Sequence, residues 1–175
     1  MGKHPRNVLT GRATMKAIRM TALLAVMTVI IPSVWAADSQ AVKKDMARLQ
    51  GEWSMVSGSA DGQAMPEQML KQMKRVCQGD ETTTKMGNQV FLKAKFTVNP
   101  VKKPKAIDYQ MTDGFTKGKT QLGIYELDGD TFKSCFAKPG SERPKDFSTK
   151  PGDGRTLSVW KRDKPAAPPP PKPNP

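Results

Sequence analysis

The chain has 175 residues, and 29 lysines and arginines against 16 acidic residues give a formal net charge of +13. This length allows one domain with a modest core. The single histidine, His4, lies in a segment that we expect to be removed. The mature chain then has no histidine for a Ser-His-Asp or Cys-His centre or for a histidine-ligated metal, so we expect no metal and no cofactor, and an enzyme is the least favoured class.

The N-terminal 36 residues have the pattern of a secretory signal peptide. Five basic residues precede an apolar run of 12 residues at positions 20–31, and Val34 and Ala36 take the small-residue positions before a cut. A membrane-spanning helix needs about 20 residues, which disfavours the alternative of an uncleaved anchor. We therefore expect cleavage after Ala36 and export to the periplasm or the outside of the cell, with Met15 as an alternative start.

The C-terminal end, residues 164–175, is rich in proline. Proline lacks the amide donor and fixes φ, so this segment is predicted to be a disordered, extended tail. The folded domain is then residues 45–163.

Within that domain the pattern is mainly that of β-structure. Residues 89–98 alternate, with apolar side chains from Val90 to Phe96 on one face and Lys93 and Lys95 on the other, which indicates a sheet with one buried face. A short helix is predicted at about 66–74, where Pro66 precedes apolar residues at helical spacing. Strands are predicted over residues 50–57, 75–78, 81–86, 89–98, 106–111, 120–127, 131–137 and 155–162. Short, evenly spaced strands favour an antiparallel barrel or sandwich.

Asp128 and Gly129 lie between two of these strands, and two interpretations are open. A tight hairpin turn needs positive φ, which glycine adopts readily. A calcium loop would also use Asp128 and Asp130, but it needs further oxygen ligands and a bidentate acid near its end. The residues that follow do not supply them, so the turn is favoured.

Several segments resemble an uncharacterised domain family of planctomycete-type bacteria, which is typically found behind a signal peptide. They include Leu49-Gln-Gly-Glu-Trp53, Pro104-Lys-Ala-Ile-Asp108, Gly123-Ile-Tyr-Glu-Leu-Asp-Gly-Asp-Thr131, Cys135-Phe-Ala137 and Phe147-Ser-Thr-Lys-Pro151. The resemblance covers residues 49–162. It implies a lipocalin-like fold and no particular activity. Together with the strand pattern and the short helix at about 66–74, the predicted fold class is a mainly β, antiparallel lipocalin-like barrel of about eight strands with one short helix.

Gly51-Glu52-Trp53 is also similar to the Gly-x-Trp signature of lipocalins. In that family the tryptophan closes one end of the barrel, and a basic residue of the last strand packs on its ring. Here Lys161 or Arg162 would supply that contact, worth about 1 kcal/mol. Gly51, Trp53, Gly129 and Arg162 are therefore assigned structural roles. The helix at 66–74 departs from the lipocalin pattern, and it would cover or plug the barrel.

Asp108 and Glu126 are the acidic residues in the middle of predicted strands. If either pointed inward it would be a buried acid and a candidate site, because burial of a carboxylate is unfavourable without a partner. The favoured alternative is that both lie on the solvated face of the sheet.

A basic surface is predicted, and few aromatic residues are interleaved with it, which argues against nucleic-acid binding. An anionic component of the cell envelope is the natural partner of such a surface in an exported protein, and the alternative is that these lysines only solvate the surface. Its members are Lys71, Lys74, Arg75, Lys93, Lys95, Lys102, Lys103, Lys105, Lys117 and Lys119.

Two functions remain. The first is a carrier that holds a small apolar or amphipathic ligand among Leu92, Phe96, Ile107, Leu122, Ile124, Tyr125, Phe132 and Val159. The second is a filled barrel that acts as an interaction module for the envelope or another protein. Barrels of about eight strands can do either, and an internal cavity of about 300 Å³ or more would favour the carrier.

Cys77 and Cys135 could pair in an oxidising compartment. However, Phe132 and Phe136 indicate a buried face that turns Cys135 to the opposite side, whereas Cys77 takes a core position. Opposite faces of a sheet prevent the geometry that a disulfide needs. The resembling family also has a large apolar residue at the position of Cys77. We expect two free thiols, with Cys77 buried and Cys135 more accessible.

N-terminal sequencing of the exported protein tests the signal-peptide prediction. The expected product is soluble and begins at Ala37, because the charge and length pattern places the cut after Ala36. An intact N-terminus in a purified membrane fraction would contradict it.

Overall fold

The computed structural model describes residues 34–114 and 116–164. Most of the predicted signal peptide and of the proline-rich tail lies outside these residues. The expected cleavage site after Ala36 falls within the first helix, and both terminal segments stay predictions.

The chain order is one helix, two strands, a short helix and seven further strands. The elements are α1 (Val34–Leu49), β1 (Gly51–Ala60), β2 (Gln63–Ala64), α2 (Glu67–Gln72), β3 (Met73–Gln78), β4 (Glu81–Met86), β5 (Gln89–Asn99), β6 (Lys105–Asp113), β7 (Thr120–Asp128), β8 (Thr131–Phe136) and β9 (Thr156–Arg162). All eight predicted strands are present. The sequence did not predict α1 or the two-residue β2, and the predicted helix is shorter than expected because Met73 and Lys74 pair with β4.

Every neighbouring pair of strands is antiparallel, and the sheet closes because β9 pairs with β1. The closed barrel contains eight strands, with β2 as an additional strand at the side of β1. The predicted fold class, a mainly β antiparallel barrel of about eight strands with a short helix, is confirmed.

One face of each strand points into the barrel. On β5 the residues Ala94, Phe96 and Val98 are buried, whereas Lys93 and Lys95 are exposed, as the alternation predicts. The predicted buried position of Val90 is wrong: Val90 is exposed, because the register shifts between Thr84 and Lys85 and pairs Val90 with Lys85. The core cluster collects such positions from seven of the eight barrel strands, and Met86 of the remaining strand, β4, packs against it.

Trp53 and Arg162 close one end of this barrel. Trp53 is fully buried, and the Arg162 Cζ lies 4.1 Å from the centre of its ring. The Arg162 guanidinium also donates to the carbonyl oxygens of Gln50 at 2.6 Å and Arg48 at 2.5 Å, which lie at the C-terminal end of α1. Of the two candidates that the sequence offers, Arg162 rather than Lys161 therefore makes the contact.

The C-terminal half of α1 covers the same end. The Trp53 indole N–H donates to the Leu49 carbonyl at 3.0 Å, and buried Asp45 accepts from Lys105 and from the Tyr125 hydroxyl at 2.8 and 2.7 Å. Burial alone would raise the pKa of Asp45, but these two hydrogen bonds and the nearby positive charges lower it overall. The ionised carboxylate thus ties α1 to β6 and β7.

The segment Asp128–Thr131 is a tight hairpin, as predicted. Asp128 pairs with Thr131, and Gly129 adopts a φ of 51°. Asp130 receives a hydrogen bond from Arg162 at 3.1 Å, and the described residues contain no acidic cluster that could hold a metal ion.

Cys77 and Cys135 lie on opposite faces and are not joined, but the expected accessibility of Cys135 is wrong. Cys77 belongs to the core, whereas Cys135 is fully buried on the other face of the sheet. The chain after β8 folds back over that face, and the Cys135 thiol lies 3.6 Å from the Ser148 carbonyl oxygen. Strand alternation cannot reveal this cover, because it arises from a loop.

Replacement of Arg162 by methionine tests the closure of the barrel. We expect R162M to lower the free energy of unfolding by about 2–4 kcal/mol, because it removes the contact with Trp53 and the hydrogen bonds to α1. The matched control is K161M, an exposed neighbour that should change stability by less than about 0.5 kcal/mol. Denaturant unfolding measures both values, and equal effects of the two changes would contradict the assigned role.

Thiol labelling tests the buried state of both cysteines. Burial raises the pKa of Cys135 to about 11, so its reactive thiolate is scarce at neutral pH. We expect both thiols to react slowly in the folded protein and two thiols per chain to react after denaturation without reductant. Rapid native labelling, removed by C135S, would show that the covering segment opens, and no reactive thiols after denaturation would show a disulfide.

Candidate ligand-binding cavity

A cavity of about 340 Å³ occupies the barrel interior at the end away from Trp53. The register places Trp53 opposite Arg162 at one end, whereas Thr156 and Phe136 pair at the other. Thr156 and Phe136 line the cavity, and Trp53 does not. The barrel is therefore filled in one half and open in the other.

The walls of the cavity are mainly apolar and rich in methionine. The thioether side chains adapt their shape, so such a wall can fit different apolar groups. The apolar lining residues are Met55, Met65, Met73, Phe91, Leu92, Met111, Phe136 and Trp160.

A set of buried polar groups lies in the inner part of the lining. The hydroxyls of Ser134 and Ser158 lie 3.0 Å apart, and the Trp160 indole N–H donates to Ser158 at 2.9 Å. Burial raises the pKa of Tyr109 to about 12 although the charge of Arg75 opposes this shift, so the phenol stays neutral at physiological pH.

Arg75 is the charged residue of this inner lining, and only 2% of it is exposed. Its Nε donates to the Thr82 hydroxyl at 2.9 Å, and its Cζ lies 4.3 Å from the centre of the Phe132 ring and 5.8 Å from that of Tyr109. Its Nη2 is buried and has no hydrogen-bond partner among the described groups. None of the ion pairs in the described part of the chain includes Arg75.

The sequence-based assignment of Arg75 to the basic surface is wrong. The predicted helix ended at residue 74 and hid the start of β3 at Met73. On β3 the residues Met73, Arg75 and Cys77 are buried and their neighbours are not. The expected core position of Cys77 already implied that Arg75, two residues before it, points inward.

The mouth of the cavity is marked by exposed lining residues. Phe91 is 65% exposed, and Asp113 and Gly114 are also exposed. Met65, just before α2, lines the cavity, and Leu70 of α2 packs against the core. No residue of α2 lines the cavity, so the helix does not plug this part of the barrel.

The residues predicted to hold a ligand are divided among three places. Leu92 lines the cavity. Phe96, Ile107, Tyr125 and Phe132 belong to the core cluster without lining it. Leu122, Ile124 and Val159 have the parity opposite to inward-facing Tyr125 and Trp160, so they lie on the outer face of the sheet.

Asp108 and Glu126 lie on the outer face of the sheet, which was the favoured interpretation of their positions in the sequence. Asp108 forms an ion pair with Arg143 at 2.5 Å, and Glu126 is exposed. The same arginine donates to the Gly123 carbonyl oxygen at 2.6 Å, so this pair fastens the loop after β8 to the barrel wall.

Within residues 34–114 and 116–164, no helix is long and apolar enough to cross a bilayer. Comparisons of the chain with protein families, curated proteins and solved structures found no match. The resemblance to the planctomycete-type family therefore stays a prediction, and the functional argument depends on the cavity.

Proposed function

We propose that the protein is an exported carrier that binds a small amphipathic molecule inside the barrel. The observation that carries this proposal is the cavity of about 340 Å³, which exceeds the size that favours a carrier over a filled barrel. Export is supported by the charge and length pattern of the first 36 residues.

The division of the barrel into two halves supports a carrier. Trp53, Tyr125 and Phe132 pack with ring centres 6.0 and 6.5 Å apart at the closed end, so that half needs no ligand for its core. The other half has apolar walls around an inner set of hydroxyl and guanidinium groups. Ligand sites typically combine these two features, because apolar surface provides affinity and a few polar groups orient the ligand.

The cavity limits the size of the ligand. At about 30 Å³ for each water-sized group, 340 Å³ accommodates about eleven non-hydrogen atoms. Decanol and decanoate have this size, which makes them suitable probes.

Calorimetric titration with decanol and decanoate tests the carrier. We expect at least one of them to bind with a dissociation constant of about 1–100 μM and to raise the melting temperature. We also expect T84W to abolish this binding, because Thr84 is buried and lines the cavity.

The matched control is T83W, which places the same side chain at the preceding residue of β4, on the outer face. T83W should bind the probes like the wild type, and circular dichroism should show that both variants fold. If the wild type binds neither probe, the carrier is rejected and the filled interaction module becomes the better interpretation.

A further inference from the structure

We infer that the ligand is an amphiphile with a single carboxylate, which enters the barrel head first and pairs with Arg75. This inference deepens the carrier proposed above and depends on it. It is based on the guanidinium of Arg75, which is buried beside the cavity. Among the described residues, no acidic side chain pairs with this guanidinium.

The burial of the Arg75 charge without an acidic partner reduces the stability of the ligand-free protein. Arginine stays protonated in proteins, and a buried charge is normally paired with an acid or fully hydrogen-bonded. The Thr82 hydroxyl and the faces of Phe132 and Tyr109 contact the guanidinium, but they carry no net negative charge, and Nη2 has no partner. An anionic oxygen at this position would supply both a counter-charge and a hydrogen-bond acceptor.

The number of charges favours a monoanion. Arg75 is the only basic residue among the described residues that line the cavity. A carboxylate brings one negative charge and matches the planar fork of arginine. A phosphate monoester would bring a charge close to −2, and its excess charge would be buried without a partner.

The position of Arg75 gives the orientation of the ligand. Arg75 lies in the interior, and Asp113 lies at the exposed mouth. A carboxylate is attracted inward to the buried guanidinium, so the apolar chain of the ligand extends toward the mouth. There it meets Met111 and the exposed ring of Phe91.

Comparison of decanoate with decanol on the wild-type protein tests the inference, since the two probes differ in the head group. We expect decanoate to bind at least about tenfold more tightly, because its carboxylate supplies the guanidinium with a counter-charge as well as a hydrogen-bond acceptor, whereas the hydroxyl of decanol supplies only the acceptor. Decanol binding equal to or tighter than decanoate would overturn the inference and leave the carrier in place. Binding of neither probe would instead reject the carrier.

The variant R75M assigns the preference to Arg75. It should lose the tenfold preference while it keeps its affinity for decanol, and its melting temperature without ligand should be no lower than that of the wild type, because the unpaired charge is removed. K85M removes the same charge from the exposed outer face of β4 and should keep the preference. R75K retains a positive charge and should keep part of the preference for decanoate.

A preference that persists in R75M, or that disappears in K85M, would show that the carboxylate binds the basic outer surface, and the inference would be wrong. If R75M fails to fold, the wild-type comparison and the R75K variant still test the pairing of the carboxylate with Arg75. Loss of the whole preference for decanoate in a folded R75K would also contradict this pairing.

Discussion

The packing of Arg162 on Trp53 is the interaction on which the rest of the structure depends. It joins the last strand to the first where the barrel closes, and the same guanidinium holds the Arg48 carbonyl at the end of α1. Closure removes the free edges of the sheet and turns its inner face into an enclosed space. At this end Tyr125 and Phe132 fill that space, so the stability of the barrel does not require the other end to be filled.

Two arginines therefore have opposite roles in one small barrel. Arg162 is fully used by the protein, with an aromatic ring, two carbonyl oxygens and the Asp130 carboxylate around it. Arg75 is more deeply buried but has one hydroxyl and two aromatic faces, and one of its nitrogens is unpaired. Proteins tolerate such a group mainly where function requires it, because an unpaired buried charge reduces stability. The unsatisfied arginine lies beside the cavity, and the satisfied one lies at the closed end.

The fold was predictable from the sequence to a greater extent than the candidate site. Alternation located the strands, and the expected core position of Cys77 already turned Arg75 inward within the predicted strand 75–78. The predicted helix also covered Met73 and Lys74, which are the first two residues of β3. Propensity could not separate these two residues from the helix, because only their pairing with β4 makes them a strand. The alternation of β7 was also predictable from the sequence: if Tyr125 points into the barrel, its neighbour Ile124 must point outward.

The sequence by itself determined the strand pattern, the tight turn at Gly129 and the role of Trp53. These depend on local periodicity, on backbone conformation and on residue types, which act over a few neighbouring residues. The tertiary structure decided that Cys135 is covered, that one half of the barrel is open, and that Arg75 borders this opening without a partner. Those features depend on which strands meet around the barrel and on how a distant loop folds back, because burial and cavity volume are properties of many residues that are far apart in the chain.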